Sequence, residues 1–157
     1  MVTAFQVLVL LYMIFRVSSV KRSRAMMPLR VLTWPRFVTL LLAAYWIMLA
    51  MATHVPTLPT GSVRYNDKIA HCAAYSVLAF LIAWAWRTRW RFFPQGVLVT
   101  FGVASLYGAI DELSQTLVPG RFGDYYDWLA NVVGATMGIL LFWAIEALWR
   151  LARRPGA

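Results

Sequence analysis

Residues 128–145 read WLANVVGATMGILLFWAI, a run of 18 residues that contains no charged side chain. About 20 helical residues cross the ~30 Å hydrocarbon core of a bilayer, so this run predicts a membrane-spanning helix. Runs of similar length and character occupy residues 37–53, 69–86 and 94–110. The sequence therefore predicts an all-α fold, a polytopic transmembrane four-helix bundle.

Residues 1–15 form a fifth apolar run, which is shorter and is interrupted by Gln6. The run lacks the basic start and the small-residue cleavage site of a signal peptide. It predicts either a fifth short N-terminal membrane helix or a helix that lies in the membrane interface. We therefore divide the chain into residues 1–36, an N-terminal apolar segment and basic cytoplasmic loop, and residues 37–157, the transmembrane domain.

The composition excludes a water-soluble domain and indicates the class of partner. Hydrophobic residues make up 61% of the chain and charged residues only 13%, so lipid surrounds most of the outer side chains. A net charge of +9 would suggest nucleic acid in a soluble protein, but here Lys and Arg lie between the apolar runs and form no continuous basic face. We expect membrane lipids as partners and no nucleic acid.

The basic residues predict how the chain is oriented in the membrane. Twelve of the 15 precede the first span, separate the second span from the third, or follow the fourth, and therefore lie on one face. By the positive-inside rule that face is cytoplasmic, which predicts a multi-pass protein of the cell (inner) membrane. These residues are Arg16, Lys21, Arg22, Arg24, Arg30, Arg36, Arg87, Arg89, Arg91, Arg150, Arg153 and Arg154.

The opposite, outer face carries most of the remaining polarity. Five of the six acidic residues lie there, together with both histidines, Lys68 and Arg121. The five acids are Asp67, Asp111, Glu112, Asp124 and Asp127. The sixth acid, Glu146, lies four residues before Arg150 and predicts an ordinary helical ion pair. His54 is alone at the end of a span, and we interpret it as an interfacial residue.

Three of the predicted helix ends carry polar side chains that share one helical face. Spacings of three, four or seven residues place side chains on the same side of a helix. The three sets are Asp67, His71 and Tyr75; Tyr107, Asp111 and Gln115; and Asp124, Asp127 and Asn131. We expect the sets to meet in one pocket, because Pro119 and Gly120 allow a sharp turn before the third set. Arg121 in that turn would neutralise the acids or bind an anion.

These polar residues have both a structural and a functional interpretation. In the structural interpretation they are solvated helix ends. The helix dipole stabilises the acids in the first turns, and Lys68 and Arg121 are their counter-ions. Functionally, ionisable groups at membrane depth are costly and seldom persist without a partner or a role. For Asp111, Glu112 and His71 together the functional interpretation is favoured, because acids at a helix C-terminus oppose the dipole.

Gly134 and Gly138 form a GxxxG motif, which Ala130 precedes at the same spacing. A face of small residues lets two helices approach closely. The motif predicts that the fourth span packs inside the bundle. An oligomer formed through the same two glycines is the alternative.

The polar residues resemble those of the VanZ-like family in order and spacing over residues 67–138. The segments that carry the resemblance are Asp67-Lys68-Ile69-Ala70-His71 with Tyr75, Asp111-Glu112-Leu113-Ser114-Gln115, Pro119-Gly120-Arg121, and Asp124 through Asp127 to Asn131, with Gly134 and Gly138. Cys72 departs from the family, in which an aromatic residue often follows the histidine. The resemblance implies a four-helix membrane bundle with a shared polar site. It implies no established reaction, although the family's namesake gives low-level resistance to the glycopeptide teicoplanin.

Two functions stay open, a binding protein and an enzyme. A cell-envelope binding protein would hold an anionic lipid-linked or cell-wall ligand through Lys68 and Arg121, with nearby acids orienting both bases. The candidate ligand-binding residues are Asp67, Lys68, Tyr75, Gln115, Arg121, Asp124, Asp127 and Asn131. Transport is disfavoured, because no charged residue lies at mid-membrane where a coupling site is expected.

The alternative is a metal-dependent membrane enzyme that acts on a phosphorylated lipid. Its candidate catalytic residues are His71, as base or nucleophile, with Asp111 and Glu112. The candidate metal ligands are Asp111, Glu112 and Asp127, and such oxygen ligands suit Mg²⁺.

Overall fold

The computed structural model of the chain describes residues 33–54, 64–90, 94–119 and 122–153. In these ranges the chain forms four α-helices, each long and apolar enough to cross a membrane. The helices are α1 (Trp34–Thr53), α2 (Arg64–Arg87), α3 (Gln95–Gln115) and α4 (Tyr125–Ala152). The predicted all-α bundle of four spans is confirmed. The apolar run 1–15 and Arg121 lie outside the described residues.

The helices are longer than the apolar runs that predicted them, and the extra turns carry the polar residues. Helix α2 begins before Asp67, and α3 continues to Gln115, so both ends keep their polar side chains on regular helical faces. Asp124 caps α4, since its Oδ1 accepts a hydrogen bond of 2.8 Å from the backbone N–H of Tyr126. Hydropathy indicates which part of a helix lies in lipid, whereas capping residues and hydrogen-bond partners of the polar side chains determine where the helix ends.

Helices α2 and α4 pack closely because α4 presents glycine at the contact. A Cβ atom at Gly134 would collide with the backbone carbonyl oxygen of Cys72, and one at Gly138 with that of Ser76. The prediction that the GxxxG motif packs inside the bundle is therefore confirmed. A contact between two copies through the same glycines would have to displace α2.

Aromatic side chains fill the centre of the bundle. The ring of Trp46 on α1 meets the ring of Tyr107 on α3 edge-on, with 5.1 Å between centroids. Tyr107 in turn stacks against Tyr75 of α2 at 5.9 Å. These contacts set the rotation of three helices about their axes and point the polar ends of α2 and α3 toward each other.

One end of the bundle is basic. The Arg87 Nε donates to Glu146 Oε1 over 2.7 Å, and the predicted ion pair between Glu146 and Arg150 is present at 2.8 Å. Arg89 donates to the carbonyl oxygen of Pro35 and the hydroxyl of Thr39, which joins the start of α1 to the end of α2. Burial lowers the pKa of the Arg89 guanidinium, which stays charged at neutral pH because arginine titrates far above it.

Candidate functional site

Asp111 lies at the other end of the bundle and connects three helices. Its carboxylate is fully buried and accepts hydrogen bonds from Thr53 Oγ1 of α1 at 2.8 Å and from Tyr75 OH of α2 at 3.3 Å. Gln115 Nε2 of α3 donates to the same carboxylate over 3.3 Å. An ionised carboxylate only accepts hydrogen bonds, so three donors satisfy it as burial requires. We call Asp111, Thr53, Tyr75 and Gln115 the Asp111 cluster.

Thr53 is a site neighbour that the sequence did not indicate, and His54, which was interpreted as an interfacial residue, is a second one. His54 Nε2 lies 2.9 Å from Ser114 Oγ, and its Nδ1 lies 2.8 Å from the carbonyl oxygen of Ala50. The interpretation of His54 as a lone interfacial residue therefore overlooks a contact between α1 and α3. One signal was available: with alternating spans, α1 ends at the same face as the three polar sets.

Lys68 lies at the opening of a second group of polar residues. Its Nζ donates to Asp127 Oδ1 at 2.7 Å and to Asp124 Oδ2 at 3.0 Å, and lies 5.6 Å from the centre of the Tyr126 ring. The Lys68 side chain is 38% exposed. The carboxylates of Asp127 in α4 and of its N-cap Asp124 thus hold a cation of α2 at a partly open position.

His71 lies behind Lys68 and is almost completely buried. Its Nδ1 lies 3.0 Å from Asn131 Oδ1, and its Nε2 lies 3.9 Å from Asp67 Oδ1. The second distance is too long for a hydrogen bond. Asp67, His71 and Asp127 each offer one ligand atom within 4.8 Å of the others. We call these three residues with Lys68, Asp124 and Asn131 the Lys68 cluster.

Glu112 joins the end of α3 to the start of α4. Its Oε1 accepts a hydrogen bond of 2.6 Å from the backbone N–H of Asp124, and its Oε2 is buried without a hydrogen-bond partner in the described part of the chain. Gly123 allows this approach, since a Cβ there would lie 3.0 Å from Thr116 Cγ2. Glu112 therefore fixes the loop that presents Asp124 to Lys68.

The two clusters are neighbours, as the three polar stripes predicted. A Cβ added at Gly108 would lie 3.2 Å from both Tyr75 and Asn131, so these two side chains meet over the same glycine. Tyr75 belongs to the Asp111 cluster and Asn131 to the Lys68 cluster. Every described residue of the predicted site lies at this end of the bundle, whereas Arg121 is outside the described residues.

The metal ligands proposed from the sequence do not form a group. Asp111 and Glu112 are adjacent, and successive helical residues point about 100° apart. Asp111 faces α1 and α2, whereas Glu112 faces the loop before α4. Among the described residues, the acidic and histidine side chains whose ligand atoms do lie together are Asp67, His71 and Asp127, and only Asp127 belongs to both sets.

The sequence of this chain is similar to a protein family and to a fungal protein. A family model described as VanZ/LLP1 matches residues 3–149, well beyond the segment 67–138 that carries the sequence resemblance. An uncharacterized protein of Schizosaccharomyces pombe is 26% identical over 100 residues, which cover 64% of this chain. The chain spans 60% of the length of that relative. No solved structure matches the chain.

Proposed function

Because this chain belongs to the VanZ/LLP1 family, we propose that it is a cell-envelope membrane protein whose Lys68 cluster binds an anionic headgroup. The ligand would be lipid-linked or part of the cell wall, and the activity would relate to glycopeptide (teicoplanin) resistance, as the family resemblance suggests. The polar end would face outward from the cell (inner) membrane, with the basic end in the cytoplasm.

The geometry of Lys68 carries this proposal. An ammonium group has three N–H donors, and Asp124 and Asp127 accept two of them. Among the described residues the third has no acceptor, so it would meet a ligand at the exposed side of the cluster. The two carboxylates also hold the ammonium in place before a ligand arrives, which lowers the entropy lost on binding. Arg121 would add a second cation to the same site.

The surroundings of the cluster favour a lipid over a soluble anion. Large apolar side chains around the loop between α3 and α4 are strongly exposed, and Phe122 next to the site is 90% exposed. The others are Leu113, Leu117, Tyr125 and Tyr126. Such side chains are stable in a bilayer interface. A lipid whose headgroup reaches Lys68 from the side would therefore bring its apolar chains into contact with them.

An enzyme acting on a phosphorylated lipid is the second candidate. His71 supports it, because its Nε2, which has no hydrogen bond in the described part of the chain, faces the carboxylate of Asp67 at 3.9 Å. His71 would act as base or nucleophile, and Asp111 and Glu112 would complete the catalytic set. This function differs from the first in one respect, namely release of phosphate from the bound lipid.

One experiment tests both candidates. Purified protein in detergent is incubated with polyprenyl phosphates and phospholipid phosphates, with and without Mg²⁺, and retained lipid and released phosphate are measured. Retention lost in Lys68→Gln and Arg121→Ala, but kept in the control Arg150→Gln at the basic end, supports the binding protein. Phosphate release lost in His71→Ala supports the enzyme. If the wild-type protein neither retains nor converts these lipids, the proposal is wrong.

A further inference from the structure

We propose that Asp67, His71 and Asp127 bind a divalent cation of the first transition row. One ligand atom of each residue lies within 4.8 Å of the others, close enough for one ion to contact all three after small side-chain adjustments. The inference deepens the proposed function and rests on it in one respect: the cation would supply positive charge beside Lys68, where the headgroup binds.

The hydrogen bond to Asn131 prepares His71 as a ligand. The amide oxygen of Asn131 faces His71 Nδ1 at 3.0 Å, so Nδ1 carries a proton, and in the neutral ring Nε2 has a free lone pair. Metal-binding histidines commonly donate their other ring N–H to an oxygen in this way. Only 7% of His71 is exposed, yet Nε2 forms no hydrogen bond within the described part of the chain.

An unpaired atom on Asn131 points to the same role. Asn131 is fully buried, and its Nδ2 has no acceptor among the residues that the structure describes. A buried donor without a partner is destabilising, so the hydrogen bond between Asn131 Oδ1 and His71 Nδ1 is kept at a cost in stability. Its oxygen orients His71, and Gly108 leaves the space for it.

The ligand types indicate which cation the site prefers. Mg²⁺ and Ca²⁺ prefer oxygen ligands alone, whereas Zn²⁺ and Fe²⁺ accept an imidazole together with carboxylates. Three protein ligands leave at least one coordination position for an oxygen of the anionic headgroup. Lys68 competes with the cation, because it already occupies Asp127 Oδ1.

Zn²⁺ binding to the full chain in detergent tests the inference without any lipid ligand. The metal-free protein is titrated calorimetrically with Zn²⁺, and bound zinc is counted after desalting. We expect one ion per chain, bound more tightly than Mg²⁺. Asp67→Asn and His71→Gln should weaken binding at least ~10-fold, and Asn131→Leu by about 10 to 100-fold through loss of the ring orientation. Glu146→Gln, an acid at the basic end, is the matched control and should change nothing.

The outcomes separate this inference from the proposed function. Lys68→Gln should strengthen Zn²⁺ binding, because Asp127 is released, while it weakens lipid retention. Absence of stoichiometric Zn²⁺ in the wild-type protein overturns the cation site, even if lipid retention persists. The site is equally overturned if Asp67→Asn binds Zn²⁺ as the wild type does, since the Asp67 side chain is 52% exposed and its replacement leaves the fold intact. Zn²⁺ binding without lipid retention supports the cation site and counts against the headgroup.

Discussion

Thr53→Val tests whether α1 belongs to the polar site. The substitution keeps the shape of a buried side chain and removes the hydroxyl that donates to Asp111 over 2.8 Å. A hydrogen bond to a charged group contributes about 1.5–3 kcal/mol in soluble proteins, whereas interhelical bonds in a membrane protein average ~0.6 kcal/mol with a maximum near 1.7. Because this acceptor is a fully buried carboxylate, we expect a loss of about 1–2 kcal/mol, near the upper membrane values.

The assay is reversible unfolding in mixed micelles, with the change measured in a double-mutant cycle. Thr53→Val and Asp111→Leu are made singly and together, because leucine has no acceptor for the Thr53 hydroxyl, and the coupling energy then isolates their interaction. Thr136→Val is the control, because that exposed hydroxyl donates to the carbonyl oxygen of Val132 in its own helix, and its effect should stay within about 0.5 kcal/mol. A coupling energy below ~0.3 kcal/mol, within the error of such cycles, would refute the reasoning.

Two further predictions concern packing and topology. Gly134→Ala should destabilise the bundle by roughly 1–3 kcal/mol, because the added methyl collides with the Cys72 carbonyl. Gly102→Ala, where no described atom beyond the adjacent residues and the local helix backbone lies within 4 Å of the added carbon, should be neutral or stabilising in the same unfolding assay. In a Cys72→Ala background, a cysteine at Gly123 should react with a membrane-impermeant thiol reagent in intact cells, and one at Thr88 should not. The reverse labelling would invert the proposed orientation.

The convergence of the polar stripes could be predicted from sequence because it depends on two regular features. Helical spacing places Asp67, His71 and Tyr75 on one face, and alternation of spans brings the ends of α2, α3 and α4 to one side. The contribution of Thr53 could not be predicted in the same way. Threonine near a span end is common, and its bond to Asp111 depends on how far α1 is rotated and shifted against α3.

The choice of metal ligands shows a different limit of sequence reasoning. Asp111 and Glu112 are adjacent in the chain, which made them look like a pair. Adjacent helical side chains diverge, so their partners come from different elements: Thr53 and Tyr75 for Asp111, and the backbone of Asp124 for Glu112. Proximity along a helix predicts a shared site only at spacings of three, four or seven residues.

The sequence by itself determined the four described helices that are long and apolar enough to cross a membrane, and the helical faces on which their polar side chains lie. Both properties are local, because a helix in lipid satisfies its own backbone and needs only enough apolar length. The tertiary structure alone decided which side chains meet. Gly134 and Gly138 set the rotation of α4 against α2, and that rotation brings Asp127 to Lys68 and Asn131 to His71. Such pairings depend on close contacts between helices, which no periodicity within a single helix specifies.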